Sequence, residues 1–120
     1  MKSPLIAAAL LLTMGGYAND SKALDPNIQK LQWLNTADPI SDAQLAVNSG
    51  DLRLLGMVTR SISFPGVESD NIPAYEEKCG IQLIDGISDV VGSDEHLRLM
   101  QMARNYALRY NTVIKAHCKI

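Results

Sequence analysis

The chain has 120 residues, of which 47% are apolar and 20% charged, and its formal net charge is −2. That length builds one domain rather than two. Its 11 Lys and Arg residues form no basic stripe, which argues against a nucleic-acid partner.

Residues 1–18 read as a secretory signal. Lys2 supplies the basic start, Leu5 to Leu12 is an uncharged apolar run, and Gly16-Tyr17-Ala18 sets small residues before a cleavage point at Asn19. The apolar stretch of about fifteen residues falls short of the ~20 that a membrane span needs. No Cys precedes Cys79 to take a lipid. Residues 19–120 are therefore expected as a single mature domain, periplasmic or secreted, with no stable membrane anchor. In an oxidising compartment Cys79 and Cys118 are expected to pair. Metal or redox use is disfavoured because the CxxC spacing is missing. The closed loop is worth about 4 kcal/mol by chain entropy.

Asn19 to Leu24 is polar and reads as irregular. A first helix starts at Asp25, a good N-cap followed by Pro26, with Ile28, Leu31 and Leu34 on one face and Asn35 as a stop. Trp33 lies off that stripe, either half-buried against another element or marking a contact surface. The second helix carries a capping box in Ser41 and Gln44, a staple in Ile40 and Leu45, and a left-handed stop at Gly50.

The period then changes. Leu52, Leu54, Gly56, Val58, Ile62 and Phe64 alternate, interrupted by Arg60, which predicts one strand with a buried side, ended by Pro65-Gly66. Pro73 opens a short helix that Gly80 stops, and Ile81 to Ile84 is a second strand. Strand, crossover helix and strand imply a right-handed parallel pair. The last helix is capped by Ser93 or Asp94. Its apolar arc, about 160 degrees wide, holds Leu99, Met100, Met102, Ala103, Tyr106, Ala107, Tyr110, Val113, Ile114 and Cys118. Arg98, Gln101, Arg104, Asn105, Asn111, Thr112 and Lys115 fall on the other side, and His117 is expected to be partly buried at the helix end. This helix descends from the top edge of the sheet, which returns Cys118 to the level of Cys79.

The predicted fold class is α+β, or a small α/β: a short two-stranded parallel sheet with a crossover helix, packed against a long C-terminal helix and two N-terminal helices. A sheet this small invites an edge partner, so a homodimer is one expectation.

From Gly50 to Asn111 the chain resembles a family of small, uncharacterised exported proteins of Gram-negative bacteria. The matching pieces are Gly50-Asp51, Pro65-Gly66-Val67, Glu77-Lys78-Cys79-Gly80, Asp85-Gly86-Ile87-Ser88-Asp89, Glu95-His96, Tyr106-Ala107 and Tyr110-Asn111. The resemblance implies export and a single domain, and it carries no catalytic residue across.

Ligands of parallel sheets sit beyond the carboxyl ends of the strands. That rule nominates Ser63, Gly66, Asp85, Gly86, Ser88, Asp89 and His96, where glycines admit close backbone approach and a helix N-terminus suits an anion. The turn chemistry of Gly, Ser and Asp accounts for the same residues without a ligand. Asp85, Asp89, Asp94 and Glu95 crowd the region and would favour a cation instead, but their spacing matches no EF-hand. His96 and His117 are about 30 Å apart on one helix and cannot share a metal. No cofactor motif occurs.

A non-enzymatic binding module for a protein or small molecule is the leading expectation. A small hydrolase or anion-binding protein using Ser63 or Ser88, His96 and Asp85 or Asp89 is the alternative, although neither serine sits in a nucleophile elbow. Inhibition of another exported protein is a third. The intact mass of the exported protein is expected to begin at Asn19, and a soluble product retaining Met1 to Ala18 would refute the signal assignment.

Overall fold

The computed structural model describes residues 25–120. The expected signal segment, residues 1–18, and the stretch from Asn19 to Leu24 lie outside the described residues. The described residues form an α+β domain with four α-helices and a three-stranded mixed sheet.

Helix α1, Pro26–Leu31, begins as the sequence dictates: the Asp25 carboxylate accepts from the Asn27 N–H at 2.8 Å and Pro26 fills the first turn. A 3-10 turn over Gln32–Asn35 continues it and buries Leu34. Helix α2 spans Pro39–Asn48. Its cap is Asp38, not Ser41: the Asp38 carboxylate accepts from the N–H groups of Ile40 at 3.1 Å and Ser41 at 3.2 Å. Asp-Pro sets the cap and the first helical position at once, so the helix starts earlier than the capping box implied. Ile40 thereby falls inside the helix, and both staple residues face solvent, with Leu45 64% exposed. Gly50, at φ +84°, ends α2 as expected.

The run expected as one strand is a hairpin. Strand β1, Leu54–Val58, turns at Thr59-Arg60-Ser61 and returns as β2, Ile62–Ser63. The antiparallel register pairs Met57 with Ser63 and Val58 with Ile62. Even-numbered residues thus face even-numbered ones across the ladder. The period-2 pattern survives the reversal, and only Arg60 marks the bend. Val58 is 37% exposed rather than buried. A short 3-10 turn over Ser69–Asn71 leads into helix α3, Ile72–Lys78, which buries Tyr75. Gly80, at φ +88°, then turns the chain into strand β3, Ile81–Leu83. Strand β3 runs parallel to β1, with Leu54 opposite Ile81 and Gly56 opposite Leu83. The sheet order is β2-β1-β3. The parallel pair is as expected, and the third strand is the correction.

Helix α4, Asp94–His117, is capped by Ser93, whose Oγ accepts from the His96 N–H at 3.1 Å. Every residue of its expected apolar arc is buried or partly buried. His117 is exposed. The last turn returns Cys118 to Cys79, and the two form a disulfide with Cα atoms 6.2 Å apart.

Asn111, assigned by its angle to the solvent side, is fully buried. Strand β2 pairs only with the last two residues of β1, which leaves the N–H and C=O of Leu55 without a strand beside them. The Asn111 side chain takes that place. Its Oδ1 accepts from Leu55 N–H at 2.8 Å, while its Nδ2 donates to the carbonyls of Leu55 and Pro65, each at 2.9 Å. Removing a side chain that satisfies buried backbone groups costs about 1–3 kcal/mol for each group stranded. Asn111→Ala is therefore expected to lower the unfolding free energy by about 3 kcal/mol or more in denaturant titrations, and Arg104→Ala, on the exposed side of the same helix, by less than about 0.5 kcal/mol.

Candidate functional site

The seven residues nominated by the strand-end rule do not converge. Because β2 runs back antiparallel, Gly66 is carried away from the end where β3 emerges, whereas Ser63, paired with Met57, stays near the level of that end. A side chain added at Gly66 would meet Leu108, and the Gly66 carbonyl accepts from Lys115 Nζ. Leu108 lies twelve residues beyond His96 on α4, about 18 Å along the helix axis.

Asp85, Gly86, Ser88, Asp89 and His96 do share one end. Their polar groups are engaged in local structure. Gly86, at φ +100°, is packed against α1: a Cβ there would lie 3.0 Å from Leu31 Cγ and 3.1 Å from the Asn27 carbonyl. Ser88 Oγ accepts from Val90 N–H at 3.1 Å, the turn bond such a serine makes. Asp85 lies 3.5 Å from Lys30 Nζ, and Asp89 lies 3.9 Å from the hairpin-tip Arg60. His96 is 1% exposed. Its Nε2 lies 3.3 Å from the Gly86 carbonyl, and its Nδ1 has no hydrogen-bond partner. Among the described residues, no serine hydroxyl or carboxylate hydrogen-bonds the imidazole, so the hydrolase arrangement is not assembled. No group of three or more metal-ligating side chains occurs among them either.

A concavity opens beside the outer strand β3, with Asp85 in its lining. It is a cleft of about 320 Å³ lined by Trp33, Asp42, Leu55, Gln82, Leu83, Ile84, Asp85, Tyr106 and Tyr110. Five elements contribute, β1 through Leu55. The 3-10 turn after α1 presents Trp33, α2 presents Asp42, β3 presents Gln82 and Leu83, and α4 presents Tyr106 and Tyr110 one turn apart. The rings form a continuous aromatic wall. Trp33 meets Tyr106 edge-on with centroids 4.9 Å apart, and Tyr106 stacks on Tyr110 at 5.9 Å. Both arrangements are favoured by the ring quadrupoles.

The polar groups are aimed within this wall. Tyr106 OH donates to Asp42 Oδ2 at 2.7 Å. Burial, and then the Asp42 carboxylate, push the Tyr106 hydroxyl well above the usual tyrosine range. The Tyr110 hydroxyl is also raised, first by burial and then by the charge of Asp51, with a hydrogen bond to Gln82 acting in the opposite direction. Trp33, 42% exposed, offers the accessible part of the wall.

Sequence reasoning singled out Trp33 and Asp85 and missed the rest. Tyr106 and Tyr110 fall on the apolar arc and read as core, which they are along most of their surface. Asp42 reads as an ordinary first-turn acid. The available signal was the i,i+4 tyrosine pair: a buried hydroxyl requires a partner.

Because folding raises both hydroxyl pKa values, the neutral phenols contribute stability that is complete below the unfolded value near pH 10. That contribution is lost as pH climbs through the folded values. Ultraviolet titration is expected to show two tyrosines ionising late in the folded protein, with unfolding returning them to the ordinary range. Tyr106→Phe should remove the more strongly shifted one. No protein-family model, no curated protein and no solved structure matches the chain.

Proposed function

We propose that the chain is an exported, non-enzymatic binding module whose ligand seat is the cleft between Trp33, Asp42, β3 and the Tyr106–Tyr110 pair. The observation that carries this reading is the cleft itself. Its ~320 Å³ falls in the size range of small-ligand sites, and it combines a stacked aromatic wall with a few placed polar groups. Aromatic side chains give contact area at low entropic cost, and a carboxylate and an amide give orientation.

Export is supported by two features. Residues 1–18 have the order of a secretory signal. Cys79 and Cys118 are joined, as thiols are in oxidising compartments.

Trp33 is the sole tryptophan of the chain, so its emission reports on the cleft directly. Phosphate, acetate, glucose and argininamide form a suitable first panel, followed by backbone amide and indole NMR shifts. At least one of them is expected to move the Trp33 indole together with the amides of Leu55 and Gln82. If every probe leaves these unmoved, or if shifts gather instead at Gly86, Ser88 and His96, the cleft is not the seat.

A further inference from the structure

Gln82, Leu83 and Ile84, three consecutive residues of β3 and its continuation, all line the cleft. Successive side chains of a strand point to opposite faces. A cavity touched by all three therefore runs along the open edge of β3 rather than over one face of the sheet. Strand β3 is outermost in the order β2-β1-β3, and no strand pairs with its outer side among the described residues. Leu83 is 48% exposed there. Such an edge is a template for another strand.

The charge of the cleft has one sign. Asp42 and Asp85 line it, and no Lys, Arg or His does. Lys30 approaches Asp85, but that pair is largely solvated and therefore weak and screened. Asp38 and Asp51 add to the negative field felt at the tyrosine hydroxyls, and Arg53, whose charge opposes it at Tyr110, is held by Asp51 in a two-bond pair. The rings add quadrupoles that attract cations over their faces.

We propose that the β3 edge and the cleft form one docking surface for an extended segment of a partner polypeptide, which pairs with β3 and seats an arginine or lysine side chain against Trp33, Asp42 and Asp85. This rests on the cleft being the ligand seat and adds the partner's class and mode of binding. Main-chain hydrogen bonds to β3 supply affinity, and the basic side chain supplies specificity, as in other strand-addition complexes.

The test uses the whole mature protein and capped tripeptides read by Trp33 emission and amide NMR. Ac-Val-Arg-Val-amide is expected to bind at least about tenfold more tightly than its norleucine and glutamate counterparts. Its binding should weaken with added salt, and it should shift the Ile81 and Leu83 amides along with Trp33. Asp42→Asn, which keeps an acceptor for Tyr106, and Asp85→Asn, at an exposed site, should each reduce the preference for the arginine peptide. Free argininamide binding as well as the peptide would overturn pairing with β3. Equal binding of the three peptides, or preference for glutamate, would overturn the cationic assignment while leaving the cleft as the ligand seat. If neither the peptides nor the phosphate, acetate, glucose and argininamide panel moves Trp33, both readings fail.

Discussion

The side-chain amide of Asn111 holds the long helix to the sheet, and the rest of the arrangement follows from that attachment. A peptide group and an asparagine side chain present the same donor and acceptor. Asn111 therefore serves β1 as a one-residue strand where β2 is too short to reach. Because it also donates to the Pro65 carbonyl, it binds the strand, the return of the hairpin and α4 at a single point. The interior raises the importance of such a group, since each backbone polar atom it satisfies would otherwise be buried alone. The attachment also sets the rotation of α4 about its own axis. With Asn111 aimed at one edge of β1, Tyr110 and Tyr106 are turned toward the other, where β3 runs and the cleft opens. Leu55 belongs to both sides, with its backbone held by Asn111 and the residue itself at the cleft wall.

The disulfide acts at the far end of the same helix. Cys79 follows α3 directly and precedes the turn at Gly80 into β3, so its bond to Cys118 ties the start of β3 to the end of α4. Two strands are thus tethered to one helix by different chemistry, β1 by hydrogen bonds and β3 by a covalent link. Three of the elements that wall the cleft, β1, β3 and α4, are tethered in this way. A site whose walls are spaced before a ligand arrives loses less entropy on binding, and this gives a small domain with a three-stranded sheet a means of keeping a defined concavity.

Much of the fold was legible because burial follows period. The apolar arc of α4, the Asp25-Pro26 start of α1 and the glycine stops all read correctly. What escaped had a physical reason in each case. The hairpin was hidden because its register pairs Val58 with Ile62, so alternation continues through the reversal as though the strand were straight. The cap of α2 was misplaced because a capping box at Ser41 competes with an aspartate already placed before a proline. Asn111 was misassigned because helical angle identifies a face, but only tertiary context says whether a polar residue on that face meets water or a backbone. The strand-end rule misled for Gly66, since it presumes that the strand before the loop is parallel. The cleft itself was the least legible feature, because it is assembled from residues of five elements and its aromatic residues carry the same pattern as core.

An uncovered strand edge is normally guarded by lysine, proline, a bulge or a covering element. Strand β3 reads Ile81-Gln82-Leu83 and carries none of those residues. Carboxylates flank it instead, Asp85 just beyond its end and Asp42 across the cleft. Two copies of this chain meeting edge to edge through β3 would bring these acids toward one another, and like charges in a partly desolvated interface oppose association. The same acids would attract a strand bearing a basic side chain. The charge pattern therefore works against the homodimer that the incomplete sheet suggests and in favour of a heterologous partner, so the group that discourages self-pairing is also the one that selects what may pair.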